Sequence, residues 1–162
     1  MIVKEERDMA MNEEMIFNQI DLSRNSTLQL FEGLTEEQAD LIPQGFNNNI
    51  RWNLGHIYTV QNTLLNKFGG KSIKTPPRYL ELFTPGTKPA EWQGEVPTLD
   101  ELKQLLEAQP AQLKEALAGQ LQDEAIQSFQ SLSTVGEILS FTTFHEGMHV
   151  GVIKGLKKAN AV

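Results

Sequence analysis

Residues 133–158 read STVGEILSFTTFHEGMHVGVIKGLKK, and their periodicity is that of one long helix. Ile138, Phe141, Thr142, His145, Met148, His149 and Val152 recur at the three- and four-residue steps that gather side chains on one broad helical face. Thr134 and Glu137 stand at capping-box spacing at its start. Lys154, Lys157 and Lys158 lie where cations suit the negative end of the helix dipole. His145 and His149 are four residues apart, so their rings stand one turn above each other on the face expected to point into the core.

Working outward, three more long helices are predicted. The first covers about residues 8–32, with Ile16, Ile20, Ser23, Thr27, Leu30 and Phe31 on one side and Met15, Leu22 and Leu28 widening the stripe. Gly33 ends it, and Thr35 to Gln38 form a capping box for a short helix before Pro43. The second spans residues 50–68, carries Ile50, Leu54, Ile57, Val60, Leu64 and Phe68, and can be capped by any of three consecutive asparagines, Asn47 to Asn49. It contains His56, the third and last histidine of the chain, with Trp52 one turn earlier. The third begins at the capping box of Thr98 and Glu101 and carries Leu99, Leu102, Leu105, Leu106, Leu113 and Leu117. Pro110 falls inside it, so a kink or break is expected there.

Between the second and third helices, residues 71–97 hold five of the seven prolines, which excludes a long helix. Residues 79–83 are expected to make a short turn. Such a connection is either a crossover bordering a functional site or a surface linker. Residues 121–132 suggest a short hairpin-like excursion. The fold class predicted is all-α, a four-helix bundle with a long crossover between helices two and three, forming one domain over residues 1–162.

With 162 residues, 40% hydrophobic and 22% charged, the composition is that of a soluble globular protein. A net charge of −7 argues against general nucleic-acid binding. No cysteine is present, so disulfides and thiolate ligands are excluded and a cytoplasmic setting is expected. The charged start MIVKEERDMAMNEE is not expected to be a leader, and no membrane span is expected.

Two neutral imidazoles on one buried face need partners for their ring nitrogens, and a shared cation satisfies both. With His56 from another helix, the three form a candidate open metal site. The alternative is three hydrogen-bonded core histidines. His145 to His149 also match the H-E-x-x-H metalloprotease pattern, with Glu146 as general base. The H-x-x-G-x-x-H continuation is absent, and the residues after His149 include no His, Asp or Glu, so a protease is disfavoured. Glu146 could instead support a ligand, as could Asn53, or it could be solvated.

Asn53-Leu54-Gly55-His56-Ile57, Thr134 to Leu139 and His145 to Ile153, in this order around a long connection, resemble the DinB-like (DinB/YfiT) superfamily. The resemblance spans nearly the whole chain. It implies a four-helix bundle with a divalent ion, zinc or nickel, held by His56, His145 and His149, and it allows for a homodimer. Many relatives carry Gln where Val152 stands, a position that tunes packing. Characterised relatives include transferases and isomerases that use low-molecular-weight thiols such as bacillithiol, mycothiol or glutathione. The function implied is thiol S-transfer to a small electrophile. Lys67, Lys71, Lys74 and Arg78 could meet the thiol's carboxylates or form a solvated loop face. Two alternatives remain open at this level: a metal-dependent hydrolase in which the ion activates water, and a non-enzymatic metal- or ligand-binding stress protein.

Overall fold

A computed structural model describes the backbone of residues 2–161 and the side chains of residues 13–161. The side chains of residues 1–12, on which the expectation of no leader rests, lie outside the described residues. Four long helices dominate: α1 (Ile2–Leu28), α3 (Ile50–Lys67), α5 (Leu99–Leu117) and α6 (Val135–Ala159). Two short ones, α2 (Glu36–Asp40) and α4 (Pro77–Phe83), two 3-10 turns (Gln29–Phe31 and Pro89–Glu91) and an antiparallel hairpin, β1 (Glu124–Phe129) with β2 (Leu132–Thr134), complete the order. Each of α1 and α3 packs against both α5 and α6. Among the described residues, no helix is long and apolar enough to cross a membrane.

Local chemistry sets the ends of these elements. Thr35, Thr98 and Thr134 each accept from the backbone N–H three residues on, and Gln38, Glu101 and Glu137 return the bond, so all three predicted capping boxes form. Of the three asparagines, Asn49 caps α3, accepting from the Trp52 N–H. The hairpin feeds straight into α6. Carbonyls of Asp123 and Leu121 accept from the N–H groups of Val135 and Gly136, donors that a helix start leaves without partners.

Of the kink or break expected at Pro110, the break does not occur: helix α5 continues through it. Proline has no N–H to give the carbonyl of Leu106, four residues back. The guanidinium of Arg24 fills that vacancy, Nη1 donating to the Leu106 oxygen at 2.6 Å.

Two apolar clusters make the core. One contains Ile20, Leu65, Leu113 and Leu139, and the other Leu30, Leu54, Leu106 and Ile153. Between them lies a buried polar layer of Arg24, Thr27, Gln61, Thr142 and Glu146. The expected faces of two helices are therefore rotated. On α1, Phe17, Ile20, Arg24 and Thr27 point inward, while Met15 and Leu22 are exposed. On α6 the inward line runs through Leu139, Thr142, Glu146, Val150 and Ile153. His145 and His149 lie on its flank, half-buried, and Met148 and Val152 are exposed beyond them. Val152 thus has no packing role in the core.

Candidate metal centre

Asn53 and Gln61 of α3 bond His149 and Thr142 of α6, so the two helices run antiparallel and bring His56 beside the histidine pair. Ring centroids are 5.1 Å apart for His56 and His145, 4.7 Å for His56 and His149, and 4.5 Å for His145 and His149. Each ring offers one nitrogen to a cluster whose members lie within 4.8 Å of one another. Among the described residues no carboxylate joins this cluster.

Hydrogen bonds fix two of the three tautomers. His56 Nδ1 lies 2.6 Å from the carbonyl oxygen of Phe83, which can only accept, so Nδ1 carries the proton. Asn53 donates through Nδ2 to the carbonyl of Asn49 at 2.7 Å, which turns its Oδ1 toward His149 Nδ1, also at 2.7 Å. His149 Nδ1 is therefore the donor there. Both rings keep an Nε2 lone pair for another partner. Orientation of this kind by a carbonyl or amide is what metal-ligating imidazoles commonly require.

Burial makes protonation unfavourable. It pushes His56 down to about 4, helped by the neighbouring His145 and opposed by the Phe83 hydrogen bond. His149 is pushed down to about 3, first by burial and then by His145 and His56. Burial lowers His145 as well. Three neutral imidazoles at neutral pH are the protonation state that a divalent cation needs. The donor set fits such an ion.

Other expected contributors fall elsewhere. Glu146 is neither solvated nor turned toward the histidines. It accepts from Arg24 Nε at 2.8 Å and from Thr27 Oγ1 at 2.6 Å, both side chains of the ion pair being at most 2% exposed. Its i+1 position carries it around the helix, away from His145. Lys71 is engaged by Asp123 and Gln120. Arg78 ties the connection together through Glu81 and the carbonyls of Gln93 and Glu95. Lys67 lies 5.2 Å from the Phe68 ring centroid. The connection borders the centre through Phe83, an aromatic the sequence offers as a pocket or core residue; the role of its carbonyl is not legible there, because a backbone carbonyl has no residue signature.

Helices carrying three histidines on facing surfaces define a class of protein with an imidazole-only candidate metal centre. The chain belongs to the DinB superfamily, whose family description matches residues 19–153, a span that includes all three histidines. It is similar in structure to a conserved protein from Enterococcus faecalis known from a crystal structure, with a TM-score of 0.59 and 14% identity. That likeness covers 91% of this chain and 96% of the other, and at this identity it shows the fold alone. No curated protein matches the chain.

Proposed function

We propose that the chain is a single DinB-type four-helix bundle that holds a divalent ion, zinc or nickel, through His56, His145 and His149, and that it transfers a low-molecular-weight thiol to a small electrophile. The observation that carries this reading is the pair of fixed tautomers, which leaves Nε2 of His56 and of His149 as lone-pair donors within one cluster. When bound, an ion held only by neutral imidazoles keeps its full charge and open positions, and lowers the pKa of a thiol that reaches it. In the reaction the thiol proton passes to solvent, a carbon–sulfur bond forms, and the leaving group departs with its bonding pair.

The protein's own residues orient and exclude. Phe83 and Asn53 hold two of the rings by hydrogen bonds, and the Trp52 indole stacks on His56 at 4.3 Å and 18°. The chain has no cysteine, so the sulfur must arrive with the cosubstrate.

Support for the thiol reading over hydrolysis comes from the proton-handling candidates. Glu146 is committed to Arg24 and Thr27, and both ends of the Asn53 amide are already bonded. Neither is placed to take a proton from water. A cytoplasmic setting, a small-molecule substrate and a homodimer belong to the same proposal.

Elemental analysis of the untagged protein, combined with conjugation of a generic electrophile to a panel of small thiols, tests it. The expected result is about one metal per chain and turnover that requires both metal and thiol. Metal without thiol-dependent turnover would reject the transferase assignment, and no metal after reconstitution would reject the centre.

A further inference from the structure

The connection between α3 and α5 packs against α3 at Gly55, the residue before His56. A Cβ there would lie 2.5–2.6 Å from three atoms of the Phe83 ring, so the ring rests flat on bare backbone. Phe83 cannot easily retreat. It is fully buried, with the Tyr79 and Trp92 rings edge-on to it at 5.4 and 5.7 Å.

Phe83 is also the last residue of α4, so its carbonyl has no partner within the helix. The carbonyls of this helix end are taken by side chains. Thr84 Oγ1 donates to Leu80, Trp92 Nε1 donates to Leu82, and His56 Nδ1 donates to Phe83. Thr87, four residues beyond Phe83, accepts from Trp52 Nε1 at 2.9 Å while its hydroxyl lies 2.8 Å from the Leu82 carbonyl. The indole so anchored is the one stacked on His56.

We propose that Gly55 and Thr87 are positioning residues through which the connection sets the ring orientation and tautomer of His56. Gly55 admits the Phe83 ring and so brings its carbonyl to Nδ1. Thr87 holds the Trp52 plane against the imidazole. The inference rests on the metal-centre reading for its consequence, but the clamp itself is a property of the protein without metal. It gives the connection a defined role: His56 is the ligand whose geometry depends on how residues 77–87 are seated.

The test uses the full chain with Gly55→Ala and Thr87→Val, zinc as the probe ion, and two readouts. One is the ¹⁵N signature of the His56 ring in metal-free protein at neutral pH, which reports the tautomer. The other is zinc affinity by competition with a chromophoric chelator, with helicity followed by circular dichroism. The wild type is expected to show one His56 tautomer protonated at Nδ1. Gly55→Ala is expected to mix the tautomers and weaken zinc on the order of 10- to 100-fold, the usual cost of losing such an orienting bond. Thr87→Val, which keeps shape and removes only the hydroxyl, is expected to weaken zinc by about tenfold, the lower end of that range, with helicity retained. If Gly55→Ala does not fold, Thr87→Val decides. A folded variant whose His56 tautomer and zinc affinity match the wild type would overturn the proposal. Should the wild type bind no zinc, the metal-centre reading fails, and the tautomer measurement still decides the clamp.

Discussion

Arg24 donates to the carbonyl of Leu106 at 2.6 Å, the oxygen that Pro110 leaves without its helical donor. The same guanidinium is neutralised by Glu146 and donates to Gln61 at 3.0 Å. One side chain of α1 thus repairs α5, bonds α3 and pairs with α6. The arrangement explains both a buried arginine on a helix face that otherwise reads as apolar and a proline inside an unbroken helix.

This coupling is measurable. Removing one member of a buried ion pair leaves an uncompensated charge, so Glu146→Ala is expected to cost about 3–5 kcal/mol in urea unfolding. Arg24→Met leaves three buried acceptors short, Glu146, Gln61 Oε1 and the Leu106 carbonyl. Adding Pro110→Ala restores an N–H to Leu106. The Pro110→Ala gain is therefore expected to be larger in the Arg24→Met background than in the wild type, by about 1 kcal/mol or more. Equal gains in both backgrounds would mean that Arg24 does not stand in for the missing N–H.

Acid sensitivity follows from the histidine cluster. The ordinary histidine value is 6.5, and in the folded chain His56 and His149 lie at about 4 and about 3. Between those values the unfolded chain binds more protons than the folded one. Stability that is complete above pH 6.5 is then lost as pH falls toward 4 and 3. The capping carboxylates Glu101 and Glu137 are held below their ordinary 4.5 by backbone hydrogen bonds, so they add to the loss only in the lower part of the window. Urea midpoints of chelator-treated protein are expected to fall already between pH 6.5 and 5. A flat profile there would mean that the rings are not held neutral.

Helix α6 offers a third check. Its start rests on a reciprocal cap in which Thr134 Oγ1 accepts from Glu137 N–H at 3.2 Å and Glu137 accepts from Thr134 N–H at 3.0 Å. Thr134→Ala is expected to lower stability by about 0.5–2 kcal/mol, with the m-value unchanged.

What could be read from the sequence divides along a physical line. The boxes at Thr35, Thr98 and Thr134 were legible because both partners lie within four residues. The histidine pair was legible because a four-residue step fixes a shared face, whatever the tertiary context. The course of α5 through Pro110 was not, since its cause, Arg24, lies 82 residues from the carbonyl it serves. Burial of Glu146 was hidden for the same reason. An isolated acid in a helix reads as solvated until its distant partner is known. The faces of α1 and α6 were misjudged because the apolar stripe is broad, and the true centre of each passes through polar residues, Arg24 and Glu146. Phe83 meets His56 through its backbone carbonyl, a group every residue type carries and that therefore leaves no mark in the sequence.

The sharpest separation between ligand and support lies on α6. If His149 is a ligand, His149→Ala removes a donor outright and is expected to lower metal content sharply. Asn53→Leu leaves the donor in place and removes the Oδ1 that accepts from Nδ1 at 2.7 Å. The imidazole then loses its fixed tautomer, and metal affinity is expected to fall by about 10- to 100-fold without abolishing binding at saturating ion. The amide's other bond, Nδ2 to the Asn49 carbonyl at 2.7 Å, is lost too, so part of the effect will register as reduced stability. Measuring zinc affinity and the urea midpoint on the same samples distinguishes the two. A stability loss with unchanged affinity would place Asn53 in helix capping alone. An affinity loss equal to that of His149→Ala would mean that the imidazole cannot ligate without its amide partner.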